Sequence, residues 1–149
     1  MTQSTLMDLA FLQGLDAGQL ERIAQIATPV QWDAGATVFR EGDRNSLLYV
    51  VEAGRIAIEI GVPGRGRISI LTVGPGEVFG WSSVFHTRPK TASARTIEPV
   101  KAFALDAVRL RELCDADSRL GYLLTRRILE VVSERLKATR MQLLDIYSP

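Results

Sequence analysis

Apolar positions along the chain change their period twice. Leu6, Leu9, Ala10 and Phe11 recur three or four apart and predict a short helix ending near Gln13. Asp16 brings the side-chain acceptor of an N-cap. Leu20, Ile23, Ala24 and Ala27 then share one face of a helix predicted over residues 17–27, with Pro29 as its stop. From Val30 the period falls to that of a strand. Thr37-Val38-Phe39, residues 47–52, the alternating Ile56-Ala57-Ile58-Glu59-Ile60, residues 68–73, residues 91–96 and residues 100–105 each read as strands. Glu41-Gly42-Asp43, Ala53-Gly54-Arg55, Pro63-Gly64-Arg65-Gly66 and Gly74-Pro75-Gly76 supply the turns between them. Short strands divided by turn signals about every ten residues predict an antiparallel sandwich, roll or barrel.

Helical spacing returns after Asp106, which reads as a cap. Arg109, Leu110 and Leu113 belong to a short helix ending near Cys114, and Ser118 opens a long one reaching about Tyr147. At helical rise it is about 45 Å long. Tyr122, Thr125, Leu129, Val132, Leu136, Thr139, Leu143 and Ile146 alternate steps of three and four, which makes a heptad seam. Leu124, Ile128 and Val131 add a second stripe beside its first half. Two apolar flanks ask for two partner surfaces. The economical arrangement packs one flank on the β domain and the seam on its copy in a second subunit, so a homodimer is expected; a seam folded onto its own domain is the alternative. The layout is α+β, mainly β. One domain spans residues 1–149, with N-terminal helices over 1–28, a β-roll over 29–105 and C-terminal helices over 106–149.

Composition narrows the chemistry. Hydrophobic residues make up 46% of the 149 and charged ones 23%, a globular balance. The net charge of +1, from 18 basic and 17 acidic residues, argues against a general polyanion binder. Cys114 is the one cysteine and His86 the one histidine, which excludes an intrachain disulfide, a thiolate-held zinc or iron–sulfur site, and a paired-histidine metal site. A carboxylate metal site stays open on composition alone. The first residues do not read as a secretory signal, and no apolar run approaches the ~18 residues of a membrane span, so a cytoplasmic protein without a membrane partner is expected.

Gly74-x-Gly76-x-x-x-Gly80 departs from the dinucleotide-binding spacing, and no phosphate-binding G-x-x-x-x-G-K-[ST] loop occurs. The informative stretch is residues 76–94. Gly80 permits close backbone approach, Ser82 and Ser83 leave their amides accessible, and Lys90 brings a positive charge at the start of the next strand. These make either a phosphate cradle between two strands or a plain corner with an exposed lysine. Other positions read as structural: His86 solvated in a turn, Cys114 packed in a helix, Arg126-Arg127 on a solvated face. Glu41, Asp43, Glu52 and Glu59 show no catalytic pairing.

The order Phe11-Leu12, Ala34-Gly35, Phe39, Glu41-Gly42-Asp43, Leu48-Tyr49-Val50-Val51, Gly54 and above all Gly74-x-Gly76-x-x-Phe79-Gly80, followed by Thr91-Ala92-Ser93-Ala94 and the long helix, resembles the cyclic nucleotide-binding domain of catabolite-activator-type regulators and protein kinase A regulatory subunits. The resemblance covers nearly the whole chain. It implies an antiparallel double-stranded β-helix, or jelly roll, with N-terminal helices and a long C-terminal helix. It also implies a phosphate-binding cassette at Phe79, Gly80, Trp81, Ser82, Ser83, Lys90, Thr91 and Ala92, with Arg135, Thr139 and Arg140 in the helix segment that covers the base. The family's cassette carries a ribose-binding Glu where this chain has Trp81 and a phosphate-binding Arg where it has Lys90. Tryptophan has no acceptor, and lysine lacks the bidentate fork. Each change costs about 1.5–3 kcal/mol of binding unless offset, for which Arg88 and the Trp81 ring are at hand.

The resemblance thus implies a stand-alone sensor module that binds cAMP or cGMP, carries no other cofactor, is not an enzyme and signals to an effector protein through its C-terminal helix. With the chain ending at Pro149, no DNA binding in cis is expected. The alternative is a degenerate scaffold that has lost its nucleotide and serves as a dimerisation or protein-interaction module. For Thr139, a polar member of the seam, the choice lies between an outside partner and its own backbone carbonyl.

Overall fold

Strand β3 (Leu47–Ala53) is apolar at almost every position because both its faces are buried. Leu48 and Val50 point to a layer of helices, while Tyr49 and Val51 point into the space between two sheets. The computed structural model describes residues 9–81 and 89–147. Among these, β1 (Ala27–Trp32), β8 (Val100–Asp106), β3 and β6 (Val78–Phe79) form one sheet in the order β1-β8-β3-β6. A second sheet has β2 (Thr37–Phe39), β7 (Ser93–Thr96), β4 (Ile56–Val62) and β5 (Gly66–Val73) in the order β2-β7-β4-β5. Every pairing is antiparallel. This is the expected jelly roll, and the fold is α+β.

Between the sheets, Phe39, Tyr49 and Phe79 stack, with Tyr49 and Phe79 4.8 Å apart at 13°. Small Ala94, Ala102 and Ala104 leave room for the rings. On the other face of the first sheet, Phe103, Leu105 and Val78 pack against α1 (Ala17–Gln25), α2 (Ala107–Ala116) and α3 (Ser118–Tyr147). The buried stripe of α3 is Leu120, Leu124 and Ile128, one turn apart. The capping signals hold. The Asp16 carboxylate accepts from the Gln19 amide at 2.8 Å while Gln19 Oε1 accepts from the Asp16 amide at 3.0 Å, and Asp106 accepts from the amides of Val108 and Arg109.

Several expectations need correction. The first helix is, over its described part, a single 3-10 turn at Ala10–Leu12; Leu6 lies outside the described residues. Pro29 does not stop α1, which ends at Gln25. Pro29 sits within β1, opposite Phe103. β1 is an edge strand with one neighbour, the kind of strand in which a sheet tolerates proline. β7 begins at Ser93 rather than Thr91, and α2 runs on to Ala116. The two residues of β6 carry too little pattern to be read from sequence. Arg127 is half-exposed but not merely solvated: it donates to the carbonyls of Ala10 at 2.5 Å and Gln13 at 2.7 Å, clamping the 3-10 turn to α3. Arg126 does lie on the surface, paired with Glu130 at 3.7 Å.

Most of the heptad seam faces away from the domain, although Val132 packs on the helix-side core and Thr139 turns toward the β-roll. Tyr122, Leu129, Leu136, Leu143 and Ile146 keep between 50% and 72% of their surface exposed. No helix among the described residues is long and apolar enough to cross a membrane, and no cluster of potential metal ligands occurs among them.

Candidate functional site

A cavity of about 260 Å³ opens at the end of the sandwich nearest the C-terminal half of α3. Its floor is apolar. Phe39 and Phe79 come from the aromatic stack, Ile58 from β4, and Ile70 and Leu71 from β5. Gly80, Trp81, Lys90, Thr91 and Ala92 form one wall, and Arg135, Ala138, Thr139 and Gln142 of α3 form another.

Lys90 is the feature that distinguishes this cavity from an ordinary gap between sheets. Its backbone is locked to the turn after β2, with the Lys90 amide donating to the Asp43 carbonyl at 2.9 Å and the Gly42 amide to the Lys90 carbonyl at 2.8 Å. Its side chain then turns inward and is only 5% exposed. Nζ donates to the carbonyls of Leu47 and Gly80, each at 3.4 Å, and lies 4.8 Å from the Phe39 ring centre. Gly80 makes this convergence possible. Its φ is +75°, and a Cβ there would come within 3.0 Å of the Leu47 carbonyl oxygen and 3.3 Å of Nζ. Removal from water pushes the Lys90 ammonium down from its ordinary 10.5 to about 8.

The second cation is Arg135. It donates to the Val78 carbonyl, so the wall of α3 is tied to β6 on the floor side of the sandwich. Burial pulls its pKa down, and Glu77 nearby works in the other direction. The guanidinium lines the cavity and a neighbouring groove that also contains Glu77, Glu130 and Glu134.

The sequence-derived residues therefore separate into groups. Phe79, Gly80, Trp81, Lys90, Thr91, Ala92, Arg135 and Thr139 all line one cavity. Ser82, Ser83, His86 and Arg88 lie outside the described residues. Arg140 is exposed and lines no part of this cavity, because it follows Thr139 by a ~100° step around the helix. Lys90 is not the exposed lysine of a plain corner. Thr139 donates its hydroxyl to the Arg135 carbonyl at 2.9 Å, so the reading of it as a residue wanting an outside partner is overturned. Trp81 is partly buried against the helix-side core while also lining the cavity.

Sequence reading missed Phe39, Ile58, Ile70, Leu71, Ala138 and Gln142 as cavity residues. The alternation of β4 and β5 marks which positions share a face, but not that the face ends in a cavity. Three of the four carboxylates are engaged in structural bonds, while Glu52 keeps one buried oxygen without a hydrogen bond among the described residues. Glu59 accepts two bonds from Arg95, at 3.2 and 3.0 Å, and these hold its carboxyl below the usual range. Glu41 accepts from the Gly61 amide at 2.7 Å, and Asp43 from the Arg40 amide at 2.9 Å.

The two four-stranded antiparallel sheets and the helices packed on them define a jelly-roll domain, and comparison with known proteins places it in a family. The chain matches the cyclic nucleotide-binding domain pattern over residues 29–117, and it belongs to that family. It is 32% identical over 136 residues to a CRP-like cAMP-activated global transcriptional regulator of Mycobacterium tuberculosis, covering 90% of this chain and 58% of that protein. It is 26% identical over 112 residues to a cAMP-dependent protein kinase regulatory subunit of Dictyostelium discoideum, covering 73% of this chain and 34% of that one. The chain thus spans less than two thirds of the length of these relatives. A cyclic nucleotide-binding domain from Methylobacillus flagellatus superposes with a TM-score of 0.81 at 18% identity, over 96% of this chain and 80% of that one, a likeness of fold. Family members of this kind are regulatory sensor domains.

Proposed function

We propose that this chain is a non-enzymatic sensor module that takes cAMP or a related nucleotide into the cavity under α3 and passes the signal to an effector protein through that helix. The observation that carries the reading is the buried Lys90 ammonium, held beside Gly80 in a cavity whose other wall belongs to the long helix. A phosphate at Lys90 gains a charge-assisted bond in a water-poor site. Arg135 can exchange its Val78 carbonyl for the ligand's anion, which biases α3 between two positions. Phe79, Trp81, Thr91 and Ala92 enclose the ligand, with Thr139 on the helix side. Support also comes from the mycobacterial relative, which is a cAMP-activated regulator. The exposed seam of α3 fits a homodimer.

Calorimetric titration with cAMP and then cGMP tests the proposal. Micromolar binding that is lost in Lys90→Met is expected. No heat up to millimolar ligand would overturn it in favour of a scaffold that dimerises or docks a protein without nucleotide. Packing of Trp81 into the helix-side core favours that second reading.

A further inference from the structure

We infer that the cavity recognises a compact anion joined to a flat apolar body and does not read a sugar 2′-hydroxyl. The inference rests on the reading of this cavity as the ligand site, and it concerns which part of the ligand carries selectivity.

The chemistry of the lining points this way. Two cationic side chains, Lys90 and Arg135, reach the cavity from opposite walls, while no aspartate or glutamate lines it among the described residues. Residues 82–88 contain no acidic residue either. Among the described residues, the uncharged side chains with an acceptor that line the cavity are Thr91, Thr139 and Gln142. The Gly80 and Leu47 carbonyls already accept from Lys90. A hydroxyl donor therefore meets neutral acceptors only, whereas an anion meets two charged donors. The remaining surface is aromatic and aliphatic, supplied by Phe39, Phe79, Trp81, Ile58, Ile70 and Leu71. Such a wall gains from a flat apolar group and gains nothing from a polyol. Trp81 adds to this apolar lining while packing partly on the helix-side core.

The experiment is calorimetry of the full chain at pH 7 with three probes: cAMP, 2′-deoxy-cAMP and 1-naphthyl phosphate, which has the anion and the flat body but no sugar. Loss of a bond to a neutral acceptor weakens binding by less than about tenfold, and loss of a bond to a carboxylate by about tenfold or more, which sets the dividing line. The expected result is that 2′-deoxy-cAMP binds within tenfold of cAMP, that naphthyl phosphate also binds, and that Lys90→Met abolishes all three. Tenfold or greater preference for cAMP over its deoxy analogue overturns the inference and leaves the nucleotide reading standing. Lys90-dependent binding of naphthyl phosphate with no nucleotide binding overturns the nucleotide reading and upholds the inference. Failure of naphthyl phosphate to bind, or equal binding to Lys90→Met, overturns the inference whatever the nucleotides do.

Discussion

Replacing Lys90 with methionine should make the ligand-free protein more stable while removing its affinity for anions. The side chain keeps its length and its contact with Phe39 but loses the charge. Holding the ammonium near a pKa of about 8 instead of 10.5 means that, at neutral pH, burying it opposes folding by about 3 kcal/mol. The lost bonds to the Leu47 and Gly80 carbonyls, both long at 3.4 Å, offset about 1 kcal/mol of the gain. The net expectation is about 2 kcal/mol of stabilisation, or about 4–8 °C in Tm for a chain of this size. The sign with pH follows from the lowered value. Between about 8 and 10.5 the unfolded chain holds the proton more tightly than the folded one, so wild-type stability rises across that window. Below it the penalty is fully present. Tyr49 and Cys114, whose pKa values burial raises, act in the opposite sense in the alkaline range. Subtracting the Lys90→Met curve removes their contribution. Anion affinity moves the other way, falling about tenfold per pH unit once the Lys90 ammonium begins to deprotonate above 8. Thermal melts of both proteins from pH 7 to 10.5 check the first part, and calorimetry over the same range checks the second. A Lys90→Met protein less stable than wild type at pH 7, or a difference curve without a rise above pH 8, refutes the reasoning.

Leu136→Glu combined with Leu143→Glu should leave the fold intact and halve the mass seen by light scattering, because both side chains are half exposed on the seam. An unchanged dimer, or a wild-type monomer, removes the seam as the interface. Gly54→Ala should destabilise by about 3 kcal/mol or more in urea unfolding. Gly54 has φ +92°, and a Cβ there would sit 2.2 Å from the Pro99 carbonyl oxygen, so a left-handed turn and a backbone clash combine. Arg95→Ala should lower Tm at pH 7, and its deficit should shrink as pH falls below about 4.5, because Glu59 is held ionised first by its bond to Arg95 and then by charge. That contribution exists above the ordinary carboxylate range and is lost as Glu59 takes up its proton; a deficit independent of pH in thermal melts would contradict it.

The residues that decide local geometry speak for themselves in the chain. Asp16 with Gln19, Asp106 before Val108 and Arg109, and the positive-φ Gly64 of the hairpin tip act through neighbours a few positions away, so these caps and this turn follow from short-range rules. The period of α3 likewise separates its buried stripe of Leu120, Leu124 and Ile128 from its exposed seam. The glycine order around Gly80 is a stronger signal still, since it marks a backbone path specific to one family of folds. What the linear pattern does not contain is proximity. Pro29 reads as a helix stop until β8 is laid beside it, and then it is an edge-strand residue. Lys90 reads as exposed or buried with equal ease, because its environment is built by Phe39, Leu47 and Gly80 from three separate stretches of chain. The cavity itself joins β4, β5 and the far end of α3, and the shift in the Lys90 ammonium is a desolvation effect that exists only once those surfaces have closed around it.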